Sequence, residues 1–129
     1  MQDYFAAHHD DFQALADAVL NDKDAKSIIK FESSSADPFR AQMNRVSVRF
    51  VFKGSGVGGQ SIGMTNKEWG DRAKKLVLGF MWMSTPPPLD MTVPNINSFM
   101  ESGGYGEVHH SLIRYRLLSG HWYIVVMRS

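Results

Sequence analysis

Residues 54–59 read GSGVGG and follow directly on VSVRFVFK at 46–53. How this joint is read decides the fold. Gly54, Gly56 and Gly59 have the spacing G-x-G-x-x-G. In a dinucleotide-binding unit that spacing lets the backbone close on a pyrophosphate at the N-terminus of the next helix. Such a unit needs a strand, the glycines, a helix, and then a strand ending in an acid about 20 residues further on. The first strand is present. After Gly59, however, comes QSIGM, and no helix start appears before Thr65. The following apolar run ends in MWMSTPPP without a carboxylate. The competing reading is a hairpin joining 46–53 to 60–64, with glycines supplying positive φ. We read a reversal between neighbouring antiparallel strands and expect no cofactor at this loop.

Upstream of the glycines, Val46, Val48, Phe50 and Phe52 alternate with Ser47, Arg49 and Lys53, and Val51 breaks the pattern. This predicts a half-buried strand over 46–53. SIIKFES (27–33) reads as another strand, and Asp37-Pro38 marks a turn. Phe5, Phe12, Leu15, Ala16, Val19 and Leu20 recur at helical spacing, with Asp10, Asp11, Gln13 and Asp17 between them. That predicts one amphipathic helix over 3–20, with His8 on its apolar stripe and Asp3 as cap.

Downstream, TNKE has the form of a capping box, with Thr65 as cap and Glu68 reaching back. It predicts a short helix over 66–74, followed by a buried strand over 75–83. STPPPLDMTVP is a stiff extended connection, because consecutive prolines forbid helix. NINSFMES reads as a helical turn. The C-terminal segment is a β-hairpin with Ser119 and Gly120 as its turn. In that register Ile113, Tyr115, Leu117, Trp122, Ile124 and Val126 face the core. Arg114, Arg116, His121 and Tyr123 then share the other face. The expected class is α+β, with an N-terminal amphipathic helix on a mostly antiparallel sheet of about five or six strands. The 129 residues fit a single domain over 1–129.

Composition narrows the functional classes. There is no cysteine, which removes disulfides, thiol nucleophiles and Cys-bearing zinc sites. MQDYFAAHHDD lacks the apolar core of a signal peptide, and the longest apolar run, LVLGFMWM (76–83), is too short to span a bilayer. A cytoplasmic location without membrane contact is expected. Residues 1–37 carry eight acids against three lysines, a net of −5. Residues 38–129 carry eleven basic residues against five acids, a net of +6. Such an asymmetry bears on fields and partners rather than on fold.

No G-x-S-x-G elbow, H-E-x-x-H, P-loop or EF-hand spacing occurs. The His8-His9 and His109-His110 pairs cannot each chelate one ion unaided. Neighbours diverge by about 100° on a helix and face opposite sides of a strand, so no metal site is assigned. A basic, aromatic sheet face built from Arg49, Lys53, Arg114, Arg116, Arg128 and Tyr123 would suit nucleic acid. The pI of 8.1 is low for such a domain, which disfavours it.

Two functional expectations remain. The first is a small binding protein that occludes a protein partner with a basic surface, such as the antidote to a toxin or nuclease. Asp10, Asp11 and Asp17 would steer the partner, and Arg114, Arg116 and Tyr123 would form a second contact patch. The alternative is an enzyme or ligand carrier with a pocket between helix and sheet, using His109 or His8 with Glu107 or Tyr115.

Overall fold

The N-terminal apolar stripe folds as two helices, α1 (Gln2–Ala7) and α2 (His9–Asn21), rather than as one. They join at His8, whose φ of −119° and ψ of 18° leave the helical region. The His8 amide still donates to the carbonyls of Tyr4 and Phe5. The bend lets Phe5 stack on Phe12 at 5.3 Å between ring centroids. Our computed structural model describes residues 2–56, 59–70, 73, 75–88, 91–93 and 113–128. The expected helical turn at NINSFMES lies outside them, as do His109, His110 and Glu107.

After α2 come β1 (Ile28–Lys30), a 3-10 turn (Ser34–Ala36) and α3 (Arg40–Arg45). The strands β2 (Phe50–Gly56), β3 (Gly59–Thr65), β4 (Leu76–Met83), β5 (Ile113–Ser119) and β6 (Trp122–Arg128) follow. They form one six-stranded sheet in the order β1-β2-β3-β4-β6-β5, antiparallel throughout. The α+β class, the N-terminal helical layer and the terminal hairpin are as the sequence predicts.

The glycine stretch does reverse the chain. β2 runs to Gly56, which pairs with Gly59 at the start of β3. Gly59 has a φ of +94°, and a Cβ built there would crowd Ser84 Oγ. The positive φ of the turn therefore requires glycine. Gln60 lies in β3, where its amide donates to Ser84 Oγ at 2.8 Å. No helix begins at this point to meet a phosphate.

Cross-strand pairs share a face in an antiparallel sheet, so the register sorts the side chains. One row runs Ile29, Val51, Met64, Phe80, Ile124 and Arg116. The helices cover this inner row, and its five apolar members are at most 1% exposed. Phe12 packs here against Phe80 at 5.0 Å and Trp122 at 6.2 Å between ring centroids. Aromatic pairs in this range add to the area that they bury. A second row, Ile28, Phe52, Gly63, Met81, Tyr123 and Leu117, lies on the outer face.

This sorting corrects several expectations. The strand predicted over 46–53 starts only at Phe50. Val46 caps α3, and Val48 is held in the connection by its amide bond to Met43 O. Both are fully buried without belonging to the strand. Within β2 the facing is inverted: Val51 is buried on the inner side, while Phe52 is 38% exposed on the outer. The strand predicted over 27–33 is confined to Ile28–Lys30.

Thr65 is no helix cap. It ends β3, and its hydroxyl donates to Leu78 O at 2.6 Å. Asn66 instead turns the chain, its Oδ1 accepting from the Glu68 amide at 3.0 Å, so residues 66–70 form a turn and not a helix.

The terminal hairpin turns at Gly120 and His121, one residue later than predicted, and a bulge falls between Leu117 and Ser119. Leu117 therefore pairs with Tyr123 instead of Trp122. Because side chains alternate with a period of two, this slip moves all of β5 to the opposite face. Arg114 and Arg116 lie on the helix side, and Ile113, Tyr115 and Leu117 lie outside.

Candidate functional site

Helix α2 presents two unlike sides because its apolar residues fall on one stripe. Phe12, Leu15, Ala16 and Val19 are fully buried against the sheet. Asp10 and Asp17, one heptad apart, are exposed on the other side, and the Asp11 side chain is half exposed.

The outward side is anchored as well as charged. The Trp122 indole Nε1 donates to Gln13 Oε1 at 2.8 Å, and Gln13 Nε2 donates to Asp17 Oδ1 at 3.1 Å. This chain ties the Asp17 carboxylate to a core residue of the sheet. At the far end of α2, Lys53 Nζ donates to the carbonyls of Val19 (3.2 Å) and Asp22 (3.3 Å). Its charge satisfies the helix C-terminus, where a cation is favoured.

The carboxylates have few cationic neighbours. Asp10 lies 3.4 Å from His9 Nδ1, and Asp11 lies 4.0 Å from His8 Nδ1. Arg40 with Asp37 is the one ion pair to a lysine or arginine among the described residues. Asp10, Asp11 and Asp17 thus face solvent without a lysine or arginine of the described residues within ion-pair distance. The α2 carboxylates are presented at the surface, while Asp37 pairs with Arg40 of the basic half.

The second predicted patch is divided by the hairpin register. Tyr123 is 6% exposed and meets Tyr115 edge-on at 6.3 Å on the outer face. Arg114, 7% exposed, and Arg116 lie behind the sheet from them. Arg114 Nη1 donates to Ile113 O at 2.7 Å. The sequence placed these three residues together through a turn one position early.

Of the alternative catalytic set, Tyr115 lies in that outer cluster, where burial pushes its phenol above the ordinary value of 10.0. His8 is not a core histidine. Its side chain is 36% exposed, with the ring against Tyr4 at 4.6 Å. His121 sits in the hairpin turn, and its Nδ1–H donates to Met83 O at 2.8 Å.

A recess of about 450 Å³ between α1 and the hairpin end is bordered by Asp3, Phe5, His9 and Leu118. No group of three or more potential metal ligands converges among the described residues. No helix among them is long and apolar enough to cross a membrane.

The sequence did not single out the outer row as a surface. Ile28 (52% exposed), Phe52 (38%) and Leu117 (52%) are the large apolar residues most open to solvent among the described residues. Strand alternation was the available signal; it was assigned to the wrong side for Phe52 and Leu117, and no side was read for Ile28. Comparison of the chain with protein-family models, with curated proteins and with solved structures gives no match.

Proposed function

We propose that this is a cytoplasmic binding protein that recruits and occludes a protein partner with a basic surface, α2 being the steering element. The partner class that fits is a basic toxin or nuclease. On such a target a row of carboxylates stands in for nucleic-acid phosphates. The observation that carries the reading is the solvent side of α2: Asp10, Asp11 and Asp17 with no lysine or arginine of the described residues in ion-pair reach. They sit on a helix whose other side is locked into the core. Rigid like charges on an anchored element raise the encounter rate with an opposite charge and disfavour acidic competitors.

The test compares capture from native-cell extract by immobilised wild-type protein and by the Asp10→Lys, Asp11→Lys, Asp17→Lys variant. Wild type should enrich a basic protein that roughly 0.3 M salt releases and that the variant fails to retain. The captured protein, purified, should then bind wild type directly. An identical captured set for both proteins refutes the reading.

A further inference from the structure

Three cations and two carboxylates border a groove of about 620 Å³ beside β1 and the ends of β2 and β3. The cations reach it from three separate elements: Lys30 from β1, Arg49 from the residue before β2, and Lys67 from the turn after β3. The volume falls in the range that encloses small ligands.

Two of the three cations lie over aromatic rings. The Arg49 guanidinium lies 4.3 Å from the centroid of Phe31. Phe31 is fixed in turn, because its amide donates to Arg49 O at 2.9 Å. Lys67 Nζ lies 5.5 Å from the Phe50 ring centroid.

A nearby arginine shows what a purely structural role looks like. Arg40 Nη1 pairs with Asp37, Nη2 donates to Ser33 O at 2.7 Å, and Nε donates to Phe31 O at 3.1 Å. All three of its nitrogens are committed to holding the 31–37 loop. Arg49 differs. Apart from the ring contact, the one hydrogen bond of its side chain among the described residues is Nη1 to Val48 O at 3.2 Å. A guanidinium held over a ring by a cation–π contact has N–H groups left for a carboxylate or phosphate. Glu32 and Glu68 also border the groove, yet neither lies within 4.0 Å of Lys30, Arg49 or Lys67.

We infer that this groove is a binding site for a small molecule bearing an anionic group, a carboxylate or a phosphate. Arg49 grips that group through its N–H groups, and Lys30 and Lys67 contribute charge from either side. Glu32 and Glu68 accept from amine or hydroxyl groups elsewhere on the ligand. The site is separate from α2 and opposite to it in sign, so it stands or falls independently of the protein partner.

Two-dimensional amide NMR at constant ionic strength tests the inference, with inorganic phosphate and acetate titrated in separate arms and chloride as the control. One or both anions should give saturable shifts confined to residues 30–33, 49–50 and 66–68, with an affinity on the order of millimolar. The responding arm identifies the anion class. Arg49→Gln should weaken binding by about tenfold or more. The pair Lys30→Gln and Lys67→Gln, which leaves the Phe31 contact intact, should weaken it as well. Shifts that chloride reproduces, shifts that do not saturate, or saturation unaltered in both variants would overturn the site.

Discussion

Truncating Val51 should cost more stability than truncating Phe52, although phenylalanine is the larger side chain. The pattern of alternating residues implies the reverse, because it places Phe52 with the inward set and treats Val51 as the exception. Val51 is fully buried on the inner row between Ile29 and Met64. Val51→Ala removes two carbons from a site with no access to water. At roughly 0.8 kcal/mol per buried methylene the transfer loss is about 1.6 kcal/mol, and the residual cavity raises it to about 2–3. Phe52 is 38% exposed on the outer face, beside Gly63. Its ring keeps water on one side, so Phe52→Ala should cost about 1 kcal/mol, much of it strand preference. Urea denaturation followed by far-UV circular dichroism reads both values, with unchanged slopes as the check on two-state behaviour. For a domain of this size the difference corresponds to several degrees in Tm. A larger loss for Phe52→Ala than for Val51→Ala would show that β2 faces the other way, and the inner and outer rows would have to be exchanged.

Other outcomes follow from single contacts. Gly79→Ala should destabilise severely, since a Cβ there lies 2.5 Å from Met64 O. Gly120→Ala meets nothing within 4 Å and should cost only about 1–2 kcal/mol, for its φ of +56°; thermal melts of the two variants decide. Lys53→Met should lower stability by about 1 kcal/mol in urea titration, by removing the charge that satisfies the end of α2. Ultraviolet titration of phenolate should show a late-ionising component that is absent in Tyr115→Phe. Because that phenol's folded value is raised, its contribution to stability is complete below pH 10.0 and is lost as pH climbs through the folded value.

The elements legible in the sequence were those whose side-chain period is unambiguous. The stripe from Phe5 to Leu20 gave the helical layer, and LVLGFMWM gave β4 almost to the residue. The glycine joint gave the β2–β3 hairpin, because a strand on either side left room only for a turn. Misread segments shared one trait, that apolar residues occurred where two periods fit equally well. Val46 and Val48 mimic strand alternation, yet they close α3, a helix of six residues with one buried side chain, Met43. Leu117 and Leu118 are adjacent and alike, so composition cannot say which faces inward. The bulge sends Leu118 toward the helices and leaves Leu117 exposed. Of the proposed contact residues, the α2 carboxylates were legible because helix periodicity fixes their side. The arginines of β5 were not, because a one-residue choice of turn decides theirs.

The association rate between this protein and the basic partner isolated by capture, measured against ionic strength, bears most directly on the role given to α2. Between about 0.025 and 0.25 M salt the wild-type rate should fall by roughly tenfold or more while dissociation changes little. Neutralising Asp10, Asp11 and Asp17 to asparagine should flatten that dependence. A wild-type association rate indifferent to salt would contradict electrostatic steering by the helix.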